Sequence, residues 1–171
     1  MVFTNPQIQY YKRKTSTIYN RPMVSEHFNV PWTLKTEKYI LIPLTINNLI
    51  KDHDAVMASV KHLKGLTGET YDWPESLTIE ENLSDLCWHQ RKFTLRHSFP
   101  YSDMSLEKEL CLGCCYIYPL IRSQYDAQAF YWMRQEWLET GLENKLGADF
   151  KTWLENDWPF SKIEFPDRGE S

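Results

Sequence analysis

The side chains whose spacing could do chemistry fall in two places. Cys111-Leu-Gly-Cys114 has the spacing of half a zinc site or of a redox pair. The other two cysteines, Cys87 and Cys115, supply no second pair, and the five histidines, His27, His53, His62, His89 and His97, form no H-E-x-x-H motif. On an alternating strand Cys111 and Cys114 would point to opposite faces. Small apolar packing is therefore their expected role, and no metal is expected. Cys114 and Cys115 lie mid-strand, where thiols are buried and inert. His89 is the histidine of most interest, on a helix, though a surface or half-buried helix histidine is the plainer reading. No G-x-S-x-G elbow, P-loop or dinucleotide fingerprint occurs. The second place is the seam between the strand ending at Arg134 and the helix that follows, where Arg134, Glu136, Glu139, Thr140, Gly141 and Glu143 stand close in sequence.

The elements that must position these residues can be read from periodicity. Tyr39–Leu44 is a strand, with Pro43 confining that end to an edge or terminus. A helix from Asp52 to Lys64 carries the stripe Ala55, Val56, Ser59, Val60 and Leu63, with Gly65 as its cap. Thr78-Ile-Glu-Glu81 is a capping box opening a helix to about Arg96, its face built of Ile79, Leu83, Leu86 and Phe93 with Cys87 beside them. Phe99–Asp103 is a short strand or edge. Leu110–Tyr118 is a near-continuous apolar strand, as expected when both faces are covered, and Gly113 marks a bulge or a close backbone approach. Ala127–Arg134 follows, with Phe130 and Trp132 on one face and Tyr131 and Met133 on the other. Leu138–Leu154 is a helix with the stripe Leu138, Leu142, Leu146, Phe150, Trp153 and Leu154. Lys162–Phe165 is a last short strand before Pro166, and Arg168–Ser171 is a tail.

Residues 1–33 read as an N-terminal arm and 34–171 as a single domain. Pro6, Pro22 and Pro31 break long elements in the arm; Ile8–Tyr11 and Thr15–Tyr19 are short strand candidates, and Phe28, Val30 and Trp32 are anchors. Residues 1–38 hold six Lys/Arg against two acids, although the whole chain carries −4. The overall charge argues against broad nucleic-acid binding. No apolar run reaches the length of a membrane span, and Met1–Tyr10 has no signal-peptide pattern, so a soluble cytoplasmic protein is expected.

The order strand–helix–helix–strand–strand–strand–helix–strand resembles the GNAT superfamily of N-acetyltransferases. Leu34-Lys-Thr-Glu-Lys-Tyr-Ile-Leu-Ile-Pro-Leu44 is similar to the opening of many members, and Leu112-Gly-Cys-Cys-Tyr-Ile-Tyr118 to their third strand. Thr78–His89, Cys111–Pro119 and Trp158-Pro-Phe160 resemble a bacterial subgroup with no settled substrate. The resemblance covers about residues 34–166 and implies an α/β (α+β) fold, a central mixed sheet flanked by helices, here short after the fifth strand. It also implies transfer of an acetyl group from acetyl-CoA to an amine acceptor.

In that superfamily the cofactor lies where the fourth and fifth strands part, its pyrophosphate on the amides of the next helix. The resemblance therefore implies cofactor contacts from Tyr131, Trp132, Met133, Arg134, Thr140 and Gly141. The family signature there is Q/R-x-x-G-x-G/A; Arg134 and Gly141 are present, the glycine pair is not, and Glu136, Glu139 and Glu143 bring acids to the turn. Tyr118, Asp126 and Glu136, with Gln128 and Tyr131, are the groups that could serve as acid or base. Trp73, Trp88, Tyr131, Trp132 and Trp137 could line an acceptor pocket or fill the core. The arm could complete the sheet within the chain or by exchange between two subunits, and the second arrangement, or pairing at a sheet edge, would give a homodimer. The other function the departures suggest is a GNAT-like binding or interaction module without catalysis.

Overall fold

The computed structural model describes residues 20–67, 74–120 and 124–166. The expected strands at Ile8–Tyr11 and Thr15–Tyr19, Trp73 and the tail Arg168–Ser171 lie outside the described residues. Six strands form one sheet in sequence order. They are β1 (Leu34–Lys35), β2 (Tyr39–Pro43), β3 (Phe99–Ser105), β4 (Cys111–Tyr118), β5 (Ala127–Met133) and β6 (Ile163–Glu164). All neighbouring pairs are antiparallel except β5 and β6, which are parallel and joined by a helix. The helices are α1 (Leu49–Met57), α2 (Val60–Thr67), α3 (Ile79–Thr94) and α4 (Leu142–Asp157). The mixed α/β order matches the sequence reading, with β1 added as a two-residue strand. No helix among the described residues is long and apolar enough to cross a membrane.

The sheet is covered on both faces, which is why β3 and β4 read as continuous burial. One face carries Tyr39, Leu41, Phe99, Tyr101, Cys115, Ile117, Tyr131 and Met133 against Leu146, Phe150, Trp153 and Leu154 of α4. The other carries Ile40, Met104, Cys111, Cys114 and Trp132 against Ala55 and Val56 of α1, Leu63 of α2 and Leu86 of α3. The expected alternation on β5 thus holds, and so does the α4 stripe. Tyr131 and Trp132, weighed above as pocket lining, are core residues. Truncating one of the large aromatics on the inner face of α4, such as Phe150, would remove about 3–5 kcal/mol.

Residues 20–33 are described, and they pack along the α4-side core. Val24 is buried, Met23 N–H donates to Arg96 O at 2.8 Å, and the Tyr101 hydroxyl donates to Pro31 O at 2.6 Å. Phe28 packs on Trp158, with ring centroids 5.8 Å apart.

Several local expectations change. The helix expected from Asp52 to Lys64 is two helices, broken at Ala58–Ser59, where Ser59 N–H turns back to Val56 O at 3.0 Å. Gly65 lies within α2 and does not cap it. Thr78 and Glu81 do form the capping box: Glu81 N–H donates to Thr78 Oγ1 at 3.2 Å and Thr78 N–H to Glu81 Oε2 at 2.9 Å. On α3, however, Leu86 is buried while Leu83 and Cys87 are exposed. The buried Asn82 donates to Asp52 Oδ2 at 3.0 Å, and this polar contact sets the helix's rotation. The strand expected to end at Asp103 runs to Ser105 between β2 and β4, so it is not an edge.

The strand β4 contains the bulge that Gly113 signals. Asp103 faces Gly113, but Met104 faces Cys111, so Leu112 is an extra residue. That extra residue puts Cys111 and Cys114 on one face, contrary to simple alternation. Their thiols and the Asp52 carboxylate lie within 4.8 Å of one another, all buried. Cys114 Sγ donates to Asp52 Oδ1 at 3.3 Å. Burial pushes the Cys114 thiol well above its ordinary value, so it stays a thiol, and burial also raises the Asp52 carboxyl.

Candidate functional site

The site is built where β5, β6 and the start of α4 meet. β6 pairs with β5 only at Ala127–Ile163 and Gln128–Glu164. This contact is clasped at its start. Asp126 N–H donates to Lys162 O at 2.8 Å, and Asp126 Oδ2 accepts from the Ser161 and Lys162 amides at 2.7 and 2.9 Å. Those two amide donors hold the Asp126 carboxyl below its ordinary value. Gln128 adds a side-chain hydrogen bond to Glu164 at 2.9 Å.

Beyond Gln128, β5 runs on without β6. Arg134 N–H donates to Leu112 O at 2.6 Å, and this bracket makes Gly113–Met133 a wide pair in which Met133 turns its own amide away from β4. By the two-residue alternation Tyr131 and Ala129 turn theirs the same way. The far end of β5 thus presents backbone to a seam that the side chain of Glu143 closes. Met133 N–H donates to Glu143 Oε1 at 3.2 Å, and His62 Nε2 lies 2.9 Å from the same oxygen. His62 and Glu143 side chains keep only 15 % and 12 % of their surface exposed.

The turn after β5 differs from the expected helix start. Residues Gln135–Thr140 form a 3-10 helix, and α4 begins at Leu142. Gly141 separates them at φ 75°, in the left-handed region, and no other group lies within 4 Å of where its Cβ would stand. The backbone there is open to close approach. Thr140 Oγ1 donates to Trp137 O at 2.6 Å and accepts from Leu142 N–H at 3.3 Å.

This turn is stapled to the α1–α2 pair. Arg134, almost wholly buried, donates through Nη1 to Asp54 Oδ2 at 2.8 Å, and its Nε lies 3.0 Å from Glu136 Oε1. Gln135 N–H donates to Ser59 Oγ at 3.1 Å, and Gln135 Oε1 accepts from His62 N–H at 3.3 Å. Ser59, at the helix break, and His62, in the first turn of α2, are thereby fixed to the end of β5. Two of the turn's three acids are also placed. Glu136 pairs with Arg134, and Glu143 folds inward to His62 and Met133, so neither carboxylate projects freely over Gly141.

The expected site residues are thus divided. Met133, Thr140 and Gly141 line the seam, and Tyr131 contributes backbone while its ring packs under α4, where a Cβ on Gly147 would meet its hydroxyl oxygen at 2.2 Å. Trp132 faces the opposite core, its indole N–H 3.5 Å from the Tyr116 hydroxyl. Arg134 is engaged by Asp54 and Glu136. Asp126 is a clasp at the other end of β5. Tyr118 stacks on Tyr116 at 5.5 Å, in a row that includes His89, whose ring lies 5.5 Å from Tyr116. Trp137 packs against the α4-side core, and Trp88 lies edge-on to His89. The sequence reading missed the pairing of His62 with Glu143. The acidic residue in the first turn of α4 was visible, but its histidine partner lies 81 residues away.

A mixed sheet whose last two parallel strands touch at one end, crossed by a helix that starts at the other, is the fold of GNAT N-acetyltransferases. No protein-family profile and no curated protein matches the sequence. Solved structures do match it. The ribosomal-protein-S5-alanine acetyltransferase of Vibrio fischeri superposes with a TM-score of 0.59 at 13 % identity, over 71 % of this chain and 66 % of that one. This chain therefore spans just under two thirds of that enzyme. A proposed GNAT-family acetyltransferase from Bordetella pertussis matches at 0.54 and 14 % identity, over 74 % of this chain and 73 % of the other. A proposed ribosomal-protein-serine acetyltransferase from Vibrio cholerae matches at 0.53 and 10 % identity, over 72 % and 67 %. The likeness is one of fold.

Proposed function

We propose that this protein is an N-acetyltransferase that moves an acetyl group from acetyl-CoA to an amine at the seam between β5 and α4. The observation that carries this reading is the geometry of β6, which pairs with only the first two residues of β5 and leaves the Tyr131–Met133 edge facing away from the sheet. An exposed strand edge can pair with the amides of an extended acyl carrier as it would with another strand. The open backbone at Gly141 and the positive end of the α4 helix dipole face its phosphates. The residues assigned to the co-substrate are Tyr131, Met133, Thr140 and Gly141. Arg134 serves by holding the turn to α1 through Asp54.

The acceptor is read as a small-molecule amine. Its nitrogen must arrive uncharged at the thioester carbonyl, and the oxyanion that forms needs a donor. A strand amide turned away from β4, as at Tyr131, is such a donor. Calorimetry with acetyl-CoA tests the reading, followed by thiol release in the presence of a panel of primary amines. Saturable micromolar binding supports it, whereas no binding at millimolar acetyl-CoA ends it and leaves a GNAT-like interaction module.

A further inference from the structure

We propose that His62 is the proton acceptor of this acetyl transfer and that Glu143 is the residue that positions it. The proposal rests on the reading of the seam given above. Met133 N–H and His62 Nε2 both approach Glu143 Oε1, at 3.2 and 2.9 Å. Two donors converging on one oxygen is the arrangement of a carboxylate, which only accepts. In the neutral ring Nε2 therefore carries the hydrogen and Nδ1 is the nitrogen with the lone pair. The histidine is held at both ends, its backbone N–H by Gln135 Oε1 at 3.3 Å and its ring by Glu143. A histidine ring held in one orientation, half-buried at the end of the strand that would seat the thioester, is equipped for general-base work.

The step balances within the two substrates. The amine nitrogen attacks the thioester carbon, the N–C bond forms and the C–S bond breaks. The proton leaving nitrogen passes to His62 Nδ1, and the imidazolium, steadied by the Glu143 carboxylate, returns it to the departing thiolate. The products are the amide and the free thiol. Charged groups on the elements packed about His62 are Glu143 on α4, Arg134 with Glu136 on the turn after β5, Asp54 on α1, and Lys61 and Lys64 on its own helix, Lys64 being paired with Glu75.

The experiment compares the whole chain with His62→Gln, His62→Ala and Glu143→Gln. Acetyl-CoA binding is measured by calorimetry, and thiol release is followed with primary amines and with water as acceptors. His62→Gln should bind acetyl-CoA within about twofold of the parent and release thiol about 10²–10⁴-fold more slowly. Free imidazole should restore part of the rate to His62→Ala, which a merely structural histidine would not allow. Glu143→Gln, which keeps an acceptor oxygen on Met133, should lower kcat about tenfold with KM unchanged. A His62→Gln protein with intact binding and the parent rate overturns the assignment and leaves acetyl transfer standing. Binding without thiol release to any amine or to water overturns it as well. Absence of acetyl-CoA binding in the parent overturns the assignment together with the acetyltransferase reading.

Discussion

Glu143 Oε1 lies 3.2 Å from the Met133 amide nitrogen, so the first turn of α4 reaches back to the end of the strand that precedes it. The carboxylate thereby fills the place that a carbonyl of a longer β6 would take at this point of the β5 edge. It also draws in His62 from α2, 81 residues away, so that three elements share one oxygen atom.

Removing that oxygen should be costly. Glu143→Ala leaves the Met133 amide and the His62 ring without their acceptor in a largely buried place, a loss of about 2–3 kcal/mol. Glu143→Gln retains an oxygen and should lose less than half as much. Urea unfolding followed by tryptophan fluorescence measures both, and equal losses would show that the carboxamide cannot stand in.

The bulge in β4 depends on Gly113. A Cβ there would lie 2.0 Å from the Trp132 carbonyl oxygen, a backbone atom held in the sheet. Gly113→Ala should destabilise the protein by about 3 kcal/mol and lower its melting midpoint by roughly 6–12 °C. A shift under about 2 °C would mean that β5 yields without loss of pairing.

Asp103 is wholly buried in β3, and neither carboxyl oxygen has a hydrogen-bond partner among the described residues. Burial holds its carboxyl well above the ordinary value, so the folded protein keeps a proton that the unfolded chain releases near pH 4. The folded state binds more protons, and stability must fall as pH rises from that value toward the folded one. Asp103→Asn has no proton to lose. Its stability should decline less between pH 5 and pH 9 than that of the parent, as read from thermal midpoints across the range. Parallel curves would contradict the buried neutral carboxyl.

The Asp126 clasp has the opposite sign. Its carboxyl lies below its ordinary value because the Ser161 and Lys162 amides stabilise the charged form, so its contribution is present above about pH 4 and lost as pH falls through the folded value. Asp126→Ala should speed amide hydrogen exchange at Ile163 and Glu164 while the β3–β4 amides keep their protection. Unchanged exchange at β6 would show that Gln128 and the strand pairing suffice.

Arg96 ties residues 20–33 to the body. At φ 61° it donates through Nη1 to Ser25 O at 2.6 Å and to Phe28 O at 2.7 Å. Arg96→Ala should make this segment cleavable by limited proteolysis under conditions where the parent stays intact, with cuts after Phe28 for chymotrypsin. Resistance equal to the parent's would place the anchoring in Val24 and Phe28 instead.

The sequence by itself determined what neighbours along the chain decide. The Thr78–Glu81 capping box is a contact between residues three apart, the α4 stripe recurs every turn, and the alternation of Phe130, Tyr131, Trp132 and Met133 follows from the strand's period of two. The order of elements, and with it the GNAT-like fold, was legible for the same reason. Tertiary structure decided the rest. One extra residue at Leu112 put Cys111 and Cys114 on the same face, and the Asn82–Asp52 contact chose which side of α3 is buried. The break at Ser59 and the delayed start of α4 serve contacts between α1, α2 and the turn after β5. His62 meets Glu143 across 81 residues, a pairing that no local period encodes, because it exists only once both helices have docked on the sheet and closed the loop between them.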